Sequence, residues 1–211
     1  MKAMKNWFAR RWALPIIAYL LALAAWLVLG AAHFGSDALA KAQGRLAEET
    51  MAVTDWQLVG LTQNEDGTLT TVDGDPQMIL ENVDGRVVRT ISYTAQFDGE
   101  AREMCLYYTT KVGEDYSADR RVFPQSVGEG RYIYTLPRTS LAALRLDPCS
   151  PEENKTVTLA VRDITLNAAD TLPAVWQYFV PTWYQAFCLV LYPALAAAAV
   201  SMIFAVLKKE K

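Results

Sequence analysis

The run Trp12 to Phe34, WALPIIAYLLALAAWLVLGAAHF, contains no Lys, Arg, Asp or Glu, and no other stretch restricts the chain as much. As a helix rising about 1.5 Å per residue it reaches about 34 Å, enough for a bilayer core of roughly 30 Å. Lys2, Lys5, Arg10 and Arg11 precede it. Positive charge collects on cytoplasmic flanks, so the N-terminus is predicted inside and the chain after Phe34 outside. A second apolar run, Trp183 to Leu207, ends in Lys208-Lys209-Glu210-Lys211, and the same rule places the C-terminus inside. Both signals predict a two-pass protein of the cell membrane, with both termini cytoplasmic and the central domain extracytoplasmic. Trp176, Tyr178, Trp183 and Tyr184 cluster where the second run meets the outer interface, as an aromatic belt does. Ala38-Leu39-Ala40 has the form of a signal-peptidase site, but a signal core is only about 7–15 residues long, so the first run is expected to remain as a span.

These spans divide the 211 residues into a tail over 1–11, a span over 12–34, a short juxtamembrane helix or linker over 35–52, a domain over 53–170, a linker over 171–182, a span over 183–207 and a tail over 208–211. Between Ser36 and Tyr178 stand 13 basic and 22 acidic residues, a net charge of −9. A nucleic-acid partner would require the opposite bias and is set aside. From Val53 the apolar period becomes two, with turn signals about every ten residues. DWQLVGLT, TLTTV, QMIL, RVVRTISYTAQF, REMCLYYTT, RYIYTL, ALRLD and TVTLAVRDITL read as strands. In the last, Val157, Leu159 and Val161 share a parity that Ile164 and Leu166 break, so a bulge is predicted near Arg162-Asp163. In RVVRTISYTAQF the predicted inward face is Val87, Ile91, Tyr93, Ala95 and Phe97. Short strands at this spacing predict an all-β domain, an antiparallel β-sandwich flanked by two transmembrane α-helices.

The only histidine, His33, lies at the end of the first span. A Ser-His-Asp or Cys-His arrangement in the domain is therefore excluded. Turn geometry accounts for most of the carboxylates, and no catalytic residue is assigned. No cofactor is expected. Calcium is the one ion the pattern admits, through the turn residues Asp73, Asp75 and Asp84, although no twelve-residue calcium loop is present. Trp56, Tyr107 and Tyr116 are the aromatic residues whose strand parity does not commit them to the core, and they are the candidate ligand-binding residues. Cys105 and Cys149 both fall in the outer domain, where a disulfide can form. Burial as plain apolar residues is the other reading. Alternation turns Leu144 and Leu146 inward and projects Arg145 and Asp147 together from the opposite face, where they are expected to pair under partial cover.

Four tracts occur in order: Asp75-Pro76-Gln77 before an apolar strand, Leu106-Tyr107-Tyr108, Leu144-Arg145-Leu146-Asp147-Pro148, and Val161-Arg162-Asp163-Ile164-Thr165-Leu166. Together they resemble the jelly-roll, carbohydrate-binding-module-like domains of bacterial membrane proteins that assemble cell-surface polysaccharide, some of them glycosyltransferases. The resemblance covers about 53–167. It implies a jelly-roll-like sandwich, a surface glycan as ligand, and a membrane glycosyltransferase or transporter as partner. This chain departs from the enzyme-bearing relatives in lacking a catalytic cytoplasmic domain, and Cys149 stands where Gly is expected. The expected function is non-catalytic: glycan recognition, or an accessory role in polysaccharide assembly, in the lipid bilayer. The competing expectation is a protein-interaction scaffold or sensor subunit of a membrane complex that binds no sugar.

Overall fold

The computed structural model describes residues 12–83 and 85–209. Lys2, Lys5, Arg10, Arg11, Asp84, Glu210 and Lys211, on which parts of the topology and calcium expectations rest, lie outside the described residues. The chain forms two compact units, Met1–Ala38 with Pro173–Lys211, and Leu39–Leu172.

The first unit holds two long helices, α1 (Ala13–Ala42) and α2 (Trp183–Lys209). Each is long and apolar enough to cross a membrane. A stripe on α1 at four- and three-residue spacing, Ala18, Ala22, Trp26, Gly30, His33 and Asp37, is buried or half-buried. Trp26 Nε1 donates to the Phe179 carbonyl at 3.1 Å, Tyr19 Oη to the Val190 carbonyl at 2.9 Å, and Tyr178 Oη to Asp37 Oδ2 at 2.9 Å. Gly30 lets the chain at Tyr178 and Phe179 approach, since a Cβ there would meet the Tyr178 carbonyl oxygen at 2.8 Å. Gly30 thus admits the turn that leads into α2. On α2, Ala194 and Ala198 are exposed. Pro193 and Ala197, one position earlier, are the buried pair. Pro193 lies inside α2 and removes one N–H from its ladder.

The separate juxtamembrane helix does not form. α1 continues without a break to Ala42, and Gly44, with φ of 71°, turns the chain. The first strand of the second unit is β1 (Glu49–Met51), inside the stretch assigned to a linker. The remaining strands are β2 (Gln57–Val59), β3 (Leu61–Gln63), β4 (Leu69–Thr71), β5 (Gln77–Leu80), β6 (Thr90–Asp98), β7 (Cys105–Thr109), β8 (Arg121–Val122), β9 (Gln125–Ser126), β10 (Arg131–Thr135), β11 (Ala143–Asp147) and β12 (Thr158–Leu166). All pairings are antiparallel. One sheet runs β3-β4-β12-β6-β10-β9, with β1 also paired to β12, and the other runs β2-β5-β11-β7-β8. They form a sandwich-like core flanked in sequence by the two helices. With about a third of the residues helical, "all-β" describes the central domain and not the chain.

Two of the sequence readings change at sheet crossings. DWQLVGLT is not one strand: Gly60, with φ of 65°, breaks it, sending β2 to one sheet and β3 to the other. The stretch 111–126, between REMCLYYTT and RYIYTL, likewise holds β8 in one sheet and β9 in the other. The bulge falls where parity predicts it. Pairing of β12 with β6 shifts between Arg162 and Thr165, Asp163 has φ of 55°, and Leu159, Val161, Ile164 and Leu166 are all buried. In contrast, 86–89 does not extend β6, and Val88 rather than Val87 is buried. Asn167 enforces this: its Oδ1 accepts from the Arg89 N–H at 2.7 Å, and its Nδ2 donates to the Val87 carbonyl at 2.8 Å. Leu69, Met78, Ile91, Tyr93, Leu106, Tyr134, Leu144, Leu146 and Leu159 belong to one core, which excludes water from both inner faces.

Candidate functional site

Strand register builds the site on the outer face of the five-stranded sheet. Arg145 on β11 lies opposite Ile79 of β5 and Tyr107 of β7, and Tyr107 lies opposite Arg121 of β8. One row farther on, Asp147 lies opposite Cys105. Residues directly opposite have Cβ atoms about 4.5–5.5 Å apart, so this register gathers Cys105, Tyr107, Arg121, Arg145 and Asp147. Leu144 and Leu146 point into the core and are fully buried.

The Arg145 guanidinium grips Asp147 with two bonds, Nε to Oδ1 at 2.8 Å and Nη2 to Oδ2 at 2.7 Å. It lies over the Tyr107 ring at 4.5 Å and near the Tyr116 ring at 5.6 Å, so cation–π attraction adds to the ion pair. Asp75 reaches the same guanidinium at 3.8 Å. The pair is mostly covered, with side-chain exposures of 18% for Arg145 and 11% for Asp147. The cover comes from Tyr107 and from the 110–120 loop that carries Tyr116. Glu114 ties that loop down, accepting from the Thr110 N–H at 3.0 Å and pairing with Arg120.

Around this pair opens a polar hollow of about 150 Å³, lined also by Gly74, Glu103, Cys149 and Ser150. Arg121 Nη1 donates to Glu103 Oε1 at 3.0 Å across it. Burial pushes the Asp147 carboxyl upward against the pull of Arg145. Burial also pushes both thiols up to about 11, assisted at Cys105 by the Asp147 charge. At neutral pH the thiols are therefore protonated and poor nucleophiles. Both are free and buried on the same hollow.

Trp56 is a correction. It is only 3% exposed, belongs to the core, and offers no ring to a ligand. The 3-10 turn Val53–Asp55 rolls the chain inward ahead of β2, and Trp56 Nε1 has no hydrogen-bond partner. Tyr107 and Tyr116 stay half-buried, meet at Arg145 and line the approach to the hollow. Of the calcium candidates, Asp73 and Asp75 are turned to other partners. Asp73 accepts the Asp75 N–H at 3.0 Å and packs on Gly60, while Asp75 turns to Arg145. Asp84 lies outside the described residues, among which no group of three potential ligands occurs. Glu103, Arg121 and Ser150 were missed. Arg121 becomes a neighbour of Tyr107 only through the pairing of β7 with β8, which no local pattern announces.

No protein-family model matches this sequence, and no curated protein is similar to it. Solved structures that match include a low-affinity xylan-binding module from Roseburia intestinalis. Its identity is 14% and its TM-score 0.37, over 57% of this chain and 94% of that one. The K2 adhesin domain of Lys-gingipain matches at 14% identity and TM-score 0.37, over 58% of this chain and all of that one. A family two carbohydrate esterase from Cellvibrio japonicus matches at 12% identity and TM-score 0.33, over 58% of this chain and 36% of that one. Likeness this slight does not transfer a ligand or a reaction.

Proposed function

We propose that the protein is a two-span membrane protein of the bacterial cell surface that displays a jelly-roll-like sandwich outside and uses it to hold a glycan without transforming it, as an accessory to polysaccharide assembly. The observation that carries the reading is the hollow at Arg145. Two guanidinium groups, the carboxylates of Asp75, Glu103 and Asp147, and the Ser150 hydroxyl converge on about 150 Å³ beside two half-buried tyrosines. Closely set donors and acceptors next to aromatic rings are what a hydroxylated sugar ring requires. The resemblance of the Arg145-Leu146-Asp147-Pro148 and Leu106-Tyr107-Tyr108 tracts to polysaccharide-assembly domains agrees with it.

A non-catalytic role fits the chemistry of the same residues. Both Asp147 oxygens accept from Arg145, which commits that carboxylate to an ion pair. The thiols are held protonated by burial. The single histidine lies in α1.

Glycan-array binding by the full chain in nanodiscs tests the reading. Asp75 is 69% exposed at its side chain, so Asp75→Asn leaves the melting temperature unchanged and should weaken binding at least tenfold. Tyr116→Ala should do the same. Binding that is absent in the wild type, or equal in both variants, refutes the assignment.

A further inference from the structure

Charge is unevenly set around the hollow at Arg145. Among the described residues its lining carries two guanidiniums, Arg121 and Arg145, and three carboxylates, Asp75, Glu103 and Asp147. Each guanidinium already faces a carboxylate. Arg145 grips Asp147 through two bonds, and Arg121 Nη1 donates to Glu103 at 3.0 Å. Asp75 is the remaining acid. Its Oδ1 stands 3.8 Å from Arg145 Nη2, beyond hydrogen-bond distance. Five other cations of the domain, Arg45, Arg86, Arg89, Lys111 and Arg138, line a separate hollow that shares no residue with this one.

The acids are also the outermost members of the set. The side chains of Asp75 and Glu103 are 69% and 55% exposed, against 18% and 36% for Arg145 and Arg121. A ligand arriving at the hollow therefore meets negative charge first. Asp75 is held in that place by its neighbours. Its N–H donates to Asp73 Oδ1 at 3.0 Å, and Gln77 Nε2 donates to Asp75 Oδ2 at 2.6 Å. The buried Pro76 joins it to β5. These bonds leave Oδ1 on the Arg145 side of the carboxylate.

We infer that the sugar held at this hollow is an amino sugar with a free ammonium group, an assignment that rests on the glycan reading above. An ammonium brings one positive charge and three N–H donors to a rim whose exposed groups are carboxylates. Bonds between an ammonium and a carboxylate are shorter and stronger than those between neutral partners. Acetylation of the amine removes the charge and leaves one amide N–H. A sugar acid would instead set a fourth carboxylate against three, with both guanidiniums already paired, and such a juxtaposition discriminates by repulsion. The net charge of −9 between Ser36 and Tyr178 favours the approach of the same cationic ligands.

The probes are three oligosaccharides of equal length: β-1,4-linked glucosamine, its N-acetylated counterpart and an oligogalacturonate. Each is titrated calorimetrically at pH 6 and low salt into the full chain in phosphatidylcholine nanodiscs. The glucosamine oligomer should bind at least tenfold more tightly than the N-acetylated one, with the galacturonate weakest, and added salt should erode the preference. Asp75→Asn should abolish most of that preference by weakening the glucosamine oligomer alone. Asp66→Asn, at the β3–β4 turn outside the hollow, should leave it unchanged, which separates the hollow from general attraction to an acidic domain. Equal or tighter binding of the N-acetylated or galacturonate oligomer overturns the inference and leaves the glycan reading standing. A preference that survives Asp75→Asn, or falls as far in Asp66→Asn, overturns it as well. So does binding of none of the three, and the glycan array then decides whether the glycan reading falls with it.

Discussion

Arg145 and Asp147 hold each other as an ion pair on the outer face of β11. Both are largely withdrawn from water, and each satisfies the other through two bonds. Removing one partner strands the other in a poorly solvated place, which typically costs about 3–5 kcal/mol. Arg145→Ala should therefore lower stability by about that much in urea denaturation of the full chain in detergent. The double variant Arg145→Met, Asp147→Leu should recover most of it, because two apolar side chains strand no charge. A loss below about 1 kcal/mol for Arg145→Ala would show that water reaches Asp147 freely and that the pair behaves as an exposed one. The alternation of a single strand already places these two residues on one face. Tyr107, which stacks on the guanidinium, arrives from β7 and only by register.

At the scale of elements, the backbone devices that move the chain between sheets decide the architecture. Gly60 lies between β2 and β3 with φ of 65°, and a Cβ there would run into the Asp73 carboxylate. Gly60→Ala should cost about 1–3 kcal/mol, from left-handed strain and from the displaced Asp73. Adding Asp73→Ala should return the part due to the clash, as read from denaturation midpoints. The loop that covers Arg145 is held differently, by one carboxylate. Hydrogen bonds from the Thr110 backbone, then the Arg120 guanidinium, hold the Glu114 carboxyl down to about 2. A depressed carboxyl contributes its hold fully above its unfolded value near 4.5 and loses it as pH falls through that value toward 2. Pepsin cleavage within 110–120 should therefore stay slow at pH 5 and accelerate below pH 4, and Glu114→Gln should cleave readily at both. A cleavage rate indifferent to pH in the wild type would mean that Glu114 does not hold the loop.

For the whole molecule, the prediction is topological. Two helices long and apolar enough to cross a membrane bracket the β-sandwich domain in sequence. Reporter fusions at either terminus should behave as cytoplasmic. A reporter inserted at the exposed Asp66-Gly67 turn between β3 and β4 should behave as extracytoplasmic. An N-terminal fusion cleaved from the remainder after Ala40 would reverse the reading of the first span.

The sequence alone determined what depends on composition and period. A 23-residue stretch without charge announces a helix long and apolar enough to cross a bilayer, which penalises every unpaired charge. Period-two alternation announces half-buried strands, and a break in parity at Arg162-Asp163 announces a bulge, because side chains on a strand alternate strictly. Leu144 and Leu146 were legible as core for the same reason. Only the tertiary structure decided which strands meet. It placed Arg121 beside Tyr107 and buried Trp56. It drew Asp75 away from Asp73 to Arg145, and gathered Arg45, Arg86, Arg89, Lys111 and Arg138 around one groove. These neighbours are distant in sequence, and their pairing follows from sheet register, Gly60 and Asn167 rather than from any local pattern. Alternation reports which face a residue is on, and register alone reports what it will find there.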